Sequence, residues 1–191
     1  MLVRKSGVAP LECRVCGADG EGELVAEFPI WGREPGTAVR CPTCGSIDLV
    51  DDLLTFSPTE ESVDSYVESS AGVSTILRFI ADVDRPSARF LDVGCNVGFA
   101  LDFARWRNGW DVVGVEPSVA GVRGARELGL DIRNEYFGPE SELGAPFDVI
   151  LCSEVIEHVP DPRAFARALC ANLAEDGVLI LTTPDADVVA N

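Results

Sequence analysis

Four cysteines near the N-terminus have the types and spacing of metal ligands. Cys13 and Cys16 form one Cys-x-x-Cys turn, Cys41 and Cys44 form a second, and a glycine follows each turn. Two such turns supply the four tetrahedral thiolate ligands that zinc prefers. A pair of redox-active thiols is the alternative interpretation. Because four cysteines leave no coordination position open to water, we expect this Zn(2+) ion to be structural rather than catalytic.

A short loop further along the chain has the composition of a ligand-binding turn. Apolar residues lead to Asp92, and the loop that follows runs from Gly94 to Gly98. In open α/β sheets, ligands bind beyond the carboxyl ends of the strands, where the first strand turns into the first helix. Gly94 lets a ligand approach the main chain, and Gly98 permits close helix packing. Asp92, at the end of the strand, can accept a hydrogen bond from an ammonium group.

The spacing within this loop argues against a dinucleotide as its ligand. The dinucleotide fingerprint is Gly-x-Gly-x-x-Gly, with backbone amides directed at a pyrophosphate. Here Asn96 stands where the middle glycine belongs, and Asp92 would repel a phosphate. Glu116 ends the next apolar strand about 20 residues further on, where an acidic side chain binds ribose hydroxyls. A solvated acid at a strand end is the alternative for Glu116.

The part of the chain that carries this loop alternates strand and helix patterns, which predicts a parallel sheet covered by helices. Strands are expected at residues 89–93, 111–116, 131–134, 147–153 and 178–182. Helices are expected at residues 98–108, 118–128 and 161–174. The last strand is a continuous apolar run, as parallel strands between helix layers are. The predicted fold class is therefore α/β, with a Rossmann-like, mostly parallel sheet.

The amino-terminal part of the chain follows a different plan. Residues 1–55 are expected to form a small zinc-ribbon-like subdomain, with strands at residues 23–30 and 45–50. Residues 56–86 are expected to form a linker and N-terminal helices, and residues 87–191 the α/β core. Residues 51–61 indicate a connector, and residues 63–83 indicate a helix that Gly72 can break in two.

Composition narrows the range of partners. The 191 residues carry a formal net charge of -17, which is spread along the chain, so nucleic acid and anionic lipid are disfavoured. No apolar run approaches the roughly 20 residues that a membrane span requires. Residues 1–10 also lack the apolar stretch of a signal peptide. We therefore expect a cytoplasmic protein whose partner is a small molecule.

The segment from residue 89 to residue 185 resembles the class I S-adenosylmethionine-dependent methyltransferases. The motifs that carry the resemblance are Leu91-Asp92-Val93-Gly94-Cys95-Asn96-Val97-Gly98, Val115-Glu116-Pro117-Ser118, residues 147–159 and residues 177–184. The resemblance implies that S-adenosylmethionine is the cofactor and that methyl transfer is the reaction. It also implies a sheet with the strand order 3-2-1-4-5, as in related doubly wound folds.

The resemblance implies roles for individual residues as well. The glycine loop holds the methionine end of the cofactor, Glu116 holds the ribose, and the segment from Asn134 holds the adenine. Glu135 would accept a hydrogen bond from the adenine amine while Tyr136 or Phe137 covers the ring, with core packing as the alternative for the aromatic residues. The predicted cofactor-binding residues are Asp92, Gly94, Cys95, Asn96, Gly98, Glu116, Pro117, Glu135, Tyr136, Ser153 and Glu154.

Methyl transfer to a protonated acceptor needs a base, and His158 is the single histidine of the chain. Residues 152–154, just ahead of it, are expected to line the methyl-transfer pocket. The segment from Glu154 to His158 is similar to one in quinone-ring O-methyltransferases, where two acids and the histidine are associated with a divalent cation. Glu157 and His158 are therefore the predicted catalytic residues. The alternative is that both cap the turn ahead of Pro160.

Two further features bear on the substrate and on the completeness of the fold. Paired Cys-x-x-Cys turns ahead of such a domain are similar to those of sugar C-methyltransferases, whose next helix carries substrate-facing tyrosines; here Tyr66 is the single tyrosine of that helix. The family's fold continues past its fifth strand into a helix and a hairpin, so the core is expected to be C-terminally incomplete, with the C-terminal hairpin missing. A homo-oligomer contact or a further C-terminal segment would cover the fifth strand.

The leading functional hypothesis is a methyltransferase that acts on a small-molecule methyl acceptor, such as a sugar, a quinone or another secondary-metabolite precursor. A zinc-ribbon RNA methyltransferase would share both segments, but it should carry a basic surface. A non-catalytic S-adenosylmethionine-binding interaction module is the third hypothesis.

Overall fold

The computed structural model describes residues 3–4, 6–28, 36–49, 59–69, 73–144 and 146–185. The chain forms two compact units. The first contains Met1–Phe56, His158–Arg163 and Pro184–Asn191, and the second contains Ser57–Glu157 and Ala164–Thr183. Within the described residues, no helix combines the length and the apolar character that crossing a membrane requires.

The first unit is built on an antiparallel sheet. Its strands are β1 (Val3–Arg4), β2 (Val8–Glu12), β3 (Asp19–Phe28), β4 (Gly36–Arg40) and β5 (Ile47–Leu49). The order of hydrogen-bonded strands is β1-β3-β4-β5, and β2 pairs with β3. Leu11, Cys13, Val39 and Cys41 form a buried cluster. Two of the four predicted metal ligands therefore belong to the core of this unit.

Two strands of this sheet, β3 and β5, overlap the ribbon strands expected at residues 23–30 and 45–50. Residues 29, 30 and 50 lie outside the described residues, as does most of the expected connector, at residues 51–58. The sequence patterns do not predict β2 or β4. β2 contains Pro10, and a proline cannot donate a sheet hydrogen bond. Among the described strands β2 pairs with β3 alone, and such an edge position tolerates a proline.

The second unit is an α/β fold with a parallel sheet. The remaining elements, in chain order, are α1 (Glu60–Ser69), α2 (Val73–Ala81), β6 (Arg89–Val93), α3 (Phe99–Asn108), β7 (Asp111–Val115), α4 (Val119–Leu128), β8 (Asp131–Arg133), β9 (Phe147–Ser153), α5 (Pro162–Asn172) and β10 (Leu173–Thr182). A 3-10 turn at Ile156–His158 lies between β9 and α5. The strand pairs are all parallel, in the order β8-β7-β6-β9-β10. The predicted α/β fold class with a parallel sheet is confirmed.

The run expected at residues 63–83, which Gly72 can break in two, forms two helices, α1 and α2, and Gly72 itself lies outside the described residues. Another helix differs from its prediction at one end. The helix expected to end at residue 174 ends at Asn172, whose side-chain amide donates to the Ala168 carbonyl at 3.0 Å. The chain then enters β10 directly, because Leu173 already pairs with Phe147 of β9.

The core of the second unit surrounds the two central strands, β6 and β9. Their largest buried side chains are Phe90, Leu91, Phe147, Ile150 and Leu151. Strands of this kind are apolar on both faces because helices cover both sides of a parallel sheet. β10 lies at one edge of the sheet, and there Val178 is 36% exposed and Leu181 is 43% exposed. The buried centre gives the strand ends fixed positions relative to one another.

Candidate functional site

The carboxyl ends of β6, β7 and β9 meet at one edge of the parallel sheet. Val93, the last residue of β6, pairs with Val115 of β7 on one side and with Cys152 of β9 on the other. The glycine loop, Glu116 and the segment from Ser153 follow these three strands directly. The fold therefore brings together three groups of predicted cofactor residues that are far apart in the sequence.

Backbone hydrogen bonds hold the loop after β6 in a tight turn. The Gly94 N–H donates to the Val115 carbonyl at 2.8 Å, and the Gly98 N–H donates to the Cys95 carbonyl at 2.8 Å. Gly94, Asn96 and Gly98 have φ angles of 76°, 51° and 84°. Glycine adopts this left-handed region most readily, and asparagine is next among the common residues. Asn96 therefore suits the position where this loop departs from the dinucleotide fingerprint.

Packing imposes a second requirement on the two glycines of the loop. A Cβ on Gly94 would lie 2.3 Å from Cγ2 of Val155, and a Cβ on Gly98 would lie 2.5 Å from Cδ1 of Leu130. Gly98 thus permits close packing, as expected. The close neighbour of Gly94 is the Val155 side chain, and the approach of a ligand to its main chain stays a prediction.

The Glu116 carboxylate is held by two backbone amides from different elements. Its Oε2 accepts a hydrogen bond from the Asn96 N–H at 3.1 Å, and its Oε1 accepts one from the Ser118 N–H at 2.9 Å. Ser118 is the N-cap of α4, where its hydroxyl accepts from the Ala120 N–H. The carboxylate therefore bridges the glycine loop and the start of α4, while Pro117 beside it is exposed.

Asp92 is a buried acid next to the loop and is only 4% exposed. Burial, and then the negative charge of Glu116, raise the pKa of Asp92 from 3.8 to about 8. The carboxyl is mostly protonated at neutral pH, and a neighbouring cation would stabilise its charged form. Burial also raises the pKa of the Cys95 thiol, and it raises that of Cys152 to about 12. These two cysteines are neutral and buried.

The segment expected to hold adenine is exposed from Asn134 to Tyr136 and half-buried at Phe137. The Asn134 side-chain amide donates to the carbonyls of Glu116 and Ser118, at 2.8 and 3.0 Å. Glu135 is exposed and Tyr136 is 84% exposed. Phe137 packs edge-on against Phe165 of α5, with ring centroids 5.6 Å apart. Of the two aromatic candidates, Phe137 therefore packs against the protein and Tyr136 is accessible.

A hydroxyl of β10 organises the residues at the end of β9. Ser153 Oγ lies 2.7 Å from Thr182 Oγ1, and the Thr182 hydroxyl donates to Glu154 Oε1 at 3.1 Å. The Glu154 N–H donates to the Thr182 carbonyl at 3.0 Å, and the φ angle of Glu154 is 56°. A left-handed backbone is uncommon for glutamate. Sequence reasoning misses Thr182, because its partners are distant in the chain and no local motif marks it.

The predicted catalytic pair lies around the 3-10 turn after β9. Glu157 Oε2 accepts a hydrogen bond from the Thr183 hydroxyl at 3.3 Å, and His158 is exposed. Among the described residues, Glu154, Glu157 and His158 do not converge into a group able to hold a metal ion.

The four predicted zinc ligands converge in the first unit. The Sγ atoms of Cys13, Cys16, Cys41 and Cys44 all lie within 4.8 Å of one another. The Cys13–Cys44 and Cys16–Cys41 sulfur pairs are 3.7 Å apart. A tetrahedral zinc ion with Zn–S bonds of about 2.3 Å separates its ligands by about 3.8 Å. The cluster therefore has the donor set and the size that zinc requires.

Neighbouring polar side chains support this cysteine cluster. Ser46 Oγ lies 3.3 Å from Cys13 Sγ and 3.1 Å from Cys44 Sγ. Arg14, inside the first Cys-x-x-Cys turn, donates through Nε to Asp48 Oδ2 at 2.9 Å. This ion pair ties the first turn to β5. Neither Ser46 nor Asp48 follows from the cysteine spacing, so sequence reasoning misses both.

A family model described as methyltransferase domain matches residues 63–191. The chain belongs to this methyltransferase family. The matched segment contains the glycine loop, Glu116 and the acidic segment after β9, so it covers the candidate cofactor site, whereas the cysteine cluster lies ahead of it. The resemblance to S-adenosylmethionine-dependent methyltransferases is thereby confirmed.

Several curated relatives of this methyltransferase carry the name ubiquinone biosynthesis O-methyltransferase. The protein of Xanthomonas campestris pv. campestris is 36% identical over 110 residues, which are 54% of this chain and 46% of the relative. That of a Caulobacter species is 37% identical over 102 residues, which are 50% of this chain and 40% of the relative. The chain thus spans about half the length of the curated relatives it matches.

Solved structures confirm the methyltransferase fold at low sequence identity. The plantazolicin methyltransferase BpumL, in complex with a desmethyl analogue and SAH, is 16% identical with a TM-score of 0.58, over 69% of this chain and 56% of that chain. The sugar N-methyltransferase KedS8 of a Streptoalloteichus species is 22% identical with a TM-score of 0.53, over 66% of this chain and 54% of that chain.

Proposed function

We propose that this chain binds S-adenosylmethionine and transfers its methyl group to a small-molecule acceptor. The observation that carries the proposal is the arrangement of Asp92, the glycine loop and Glu116 at the carboxyl ends of β6 and β7. In sheets of this type, that edge is where ligands bind. Membership of the methyltransferase family and the solved relative with bound SAH support the choice of cofactor.

In this proposal, each acidic residue recognises a different part of the cofactor. Asp92 accepts a hydrogen bond from the ammonium of the methionine end, and this positive charge stabilises the buried carboxylate. Glu116 accepts from the ribose hydroxyls, in the orientation fixed by the Asn96 and Ser118 amides. Tyr136 and Glu135 contact the adenine. The protein's main contribution to an in-line methyl transfer is alignment, which can lower a barrier by about 7 to 11 kcal/mol.

We propose a neutral small molecule, such as a sugar, a quinone or another secondary-metabolite precursor, as the methyl acceptor. Relatives named as ubiquinone biosynthesis O-methyltransferases and a sugar N-methyltransferase support this class. The net charge of -17 disfavours nucleic acid. Glu157 and His158, beside Ser153 and Glu154, are the proposed source of a base, and the cytoplasm is the proposed compartment.

We further propose that the cysteine cluster holds a structural Zn(2+) ion. The four thiolates would complete its tetrahedral shell, so the ion would contribute folding energy and no open site for chemistry. We also propose that the domain boundaries lie at residues 55 and 86. The division of the chain into compact units near Phe56 supports the first of them.

Calorimetric titration of the zinc-loaded protein with S-adenosylhomocysteine tests the cofactor assignment. We expect one binding site per chain and an affinity that falls roughly ten- to a hundredfold in Glu116→Ala, because hydrogen bonds to a charged group are lost. Glu175→Ala, an exposed acid outside the site, is the matched control and should bind as the unaltered chain does. Absence of binding to the unaltered chain would refute the proposed function.

A further inference from the structure

The two Cys-x-x-Cys turns of the first unit share one backbone arrangement. In the first turn, the Cys13 N–H donates to the Ala18 carbonyl at 2.8 Å. In the second turn, the Cys41 N–H donates to the Ser46 carbonyl at the same distance. The glycine that ends each turn has a positive φ angle, 75° in the first and 78° in the second. Ala18 and Ser46 therefore occupy equivalent positions, and the alanine shows that the turn folds there without a hydroxyl.

The hydroxyl of Ser46 contacts two of the four cysteine sulfurs. Its Oγ lies 3.1 Å from Cys44 Sγ in its own turn and 3.3 Å from Cys13 Sγ in the other turn. Those two sulfurs are 3.7 Å apart, as are the sulfurs of Cys16 and Cys41. Within the described part of the chain, no hydroxyl is hydrogen-bonded to this second sulfur pair. The cluster is therefore symmetric in its backbone and asymmetric in its hydrogen bonds.

A bound metal ion fixes the direction of these hydrogen bonds. A cysteine that ligates zinc does so as a thiolate, which carries no proton and can only accept. The Ser46 hydroxyl is therefore the donor, and its hydrogen is shared between the Cys44 and Cys13 sulfurs. Four thiolates carry more negative charge than one Zn(2+) ion neutralises, so a donor beside two of them stabilises the loaded site.

We infer that Ser46 strengthens metal binding without ligating the ion, because its hydroxyl donates to the Cys44 and Cys13 thiolates. This inference rests on the proposed structural zinc site. The donated hydrogen also withdraws electron density from sulfur, so the same contact makes Cys44, an exposed ligand, less reactive towards electrophiles. Ser46 thus has two effects that can be measured separately, one on retention of the ion and one on the reactivity of a thiolate.

Competition with a chromogenic zinc chelator measures the first effect on the full chain. In Ser46→Ala, which carries at this position the residue of the first turn, we expect the zinc affinity to fall roughly ten- to a hundredfold. Ser46→Val should lose as much. Ser46→Thr is the matched control, because threonine has the shape of valine and keeps the hydroxyl, and it should bind zinc nearly as the unaltered chain does.

Alkylation of the zinc-loaded chain by iodoacetamide measures the second effect. The thiolate sulfur forms a bond to carbon as iodide leaves, so the rate follows the nucleophilicity of the sulfur. We expect the rate at Cys44, relative to the rate at Cys16, to rise about two- to tenfold in Ser46→Ala and Ser46→Val and to stay unchanged in Ser46→Thr. Peptide mass spectrometry gives both rates, and the exposed thiol of Cys170 is the internal reference.

The outcomes separate the inference from the proposed zinc site. If Ser46→Ala and Ser46→Val retain zinc and keep the unaltered ratio of alkylation rates, Ser46 is a packing residue and the inference is wrong while the zinc site stands. Equal losses of zinc affinity in Ser46→Thr and Ser46→Val would also overturn it, because the hydroxyl would then make no difference. If metal analysis finds no zinc in the unaltered chain, the zinc proposal fails and the inference fails with it. The cofactor assignment has its own titration and is not affected by these results.

Discussion

The two units place their functional residues in opposite ways. In the first unit, the four cysteines come as two short turns, each with two residues between its ligands, so the local chain almost defines the site. In the second unit, Asp92 lies near the end of β6, whereas Glu116 and Glu154 follow β7 and β9, and only the buried sheet brings the three together. The cysteine cluster therefore depends on each of its ligands, whereas the site at the strand ends depends on the packing of the sheet beneath it.

Removal of a single thiolate should have the largest effect. Cys13→Ser takes away one of four ligands in the core of the first unit, and structural zinc contributes about 10 to 16 kcal/mol to folding of small domains. We expect zinc content to fall from about one ion per chain to almost none, and the first unit to unfold. Metal analysis and backbone hydrogen exchange measure the two effects. Cys170→Ser, at an exposed thiol, is the control and should retain its zinc.

The same variant tests whether the two sites are independent. If the sheet alone forms the second site, Cys13→Ser should still bind S-adenosylhomocysteine with nearly unaltered affinity. Loss of that affinity along with the zinc would contradict the contrast between the units.

A packing change beneath the loop should come next in size. Gly94→Ala combines a positive φ angle with a Cβ only 2.3 Å from Val155, so strain and overpacking together should lower the free energy of unfolding by roughly 3 kcal/mol or more. Gly109→Ala is the matched control, because Gly109 has a φ angle of 69° but no atom within 4 Å of an added Cβ. It should lose only about 1 to 2 kcal/mol. Urea unfolding monitored by near-UV circular dichroism measures the stability loss of both variants. Equal losses would show that the Val155 side chain moves aside and that overpacking contributes nothing.

Titration of Asp92 should have the smallest effect for a change of one pH unit. Its pKa of about 8 lies above the ordinary value of 3.8, so the folded protein retains a proton that the unfolded chain releases between these values. The free energy of unfolding should therefore fall as pH rises towards 8, by at most about 1.4 kcal/mol per pH unit. Asp92→Asn should remove that dependence. Thermal unfolding from pH 5 to 8.5 measures it.

Ligand binding gives the same titration a second readout. Glu116, Tyr66, Cys95 and Cys152 are the titratable groups around Asp92, and burial keeps the phenol and both thiols neutral in this range. A cationic ammonium should displace the proton of Asp92, so affinity for S-adenosylhomocysteine should rise up to about tenfold per pH unit until pH 8. Calorimetry in two buffers of different ionisation enthalpy should detect a released proton in the unaltered chain and none in Asp92→Asn. A flat pH profile for the unaltered chain would contradict the assignment.

The contrast between the units also explains what the sequence could predict. The strands β6, β7 and β9 are short apolar runs between turn residues, and the structure has them almost where the patterns place them. The cysteine ligands follow from spacing alone. β2 is not predicted because Pro10 interrupts its pattern. β4 is not predicted because it has too few apolar residues to establish an alternating pattern.

The supporting residues could not be predicted, because their roles depend on contacts between distant segments. The Thr182 hydroxyl reaches Glu154 because β10 pairs with β9. The Asn134 side chain donates to a backbone carbonyl that lies far ahead of it in the sequence. Phe137 resembles Tyr136 in sequence, yet only the position of Phe165 makes it a packing residue. Local patterns identify candidate residues, and tertiary contacts decide which of them face a ligand.

The two amides that hold Glu116 have a consequence for the strength of binding. Because the Asn96 and Ser118 N–H groups already restrict this side chain to one rotamer, a ligand that contacts it does not have to immobilise it. Immobilising a flexible side chain opposes association by about 0.5 to 1.5 kcal/mol. Folding of the loop and of α4 therefore pre-organises the Glu116 carboxylate. The entropy of this side chain is lost when the protein folds and not when the ligand binds.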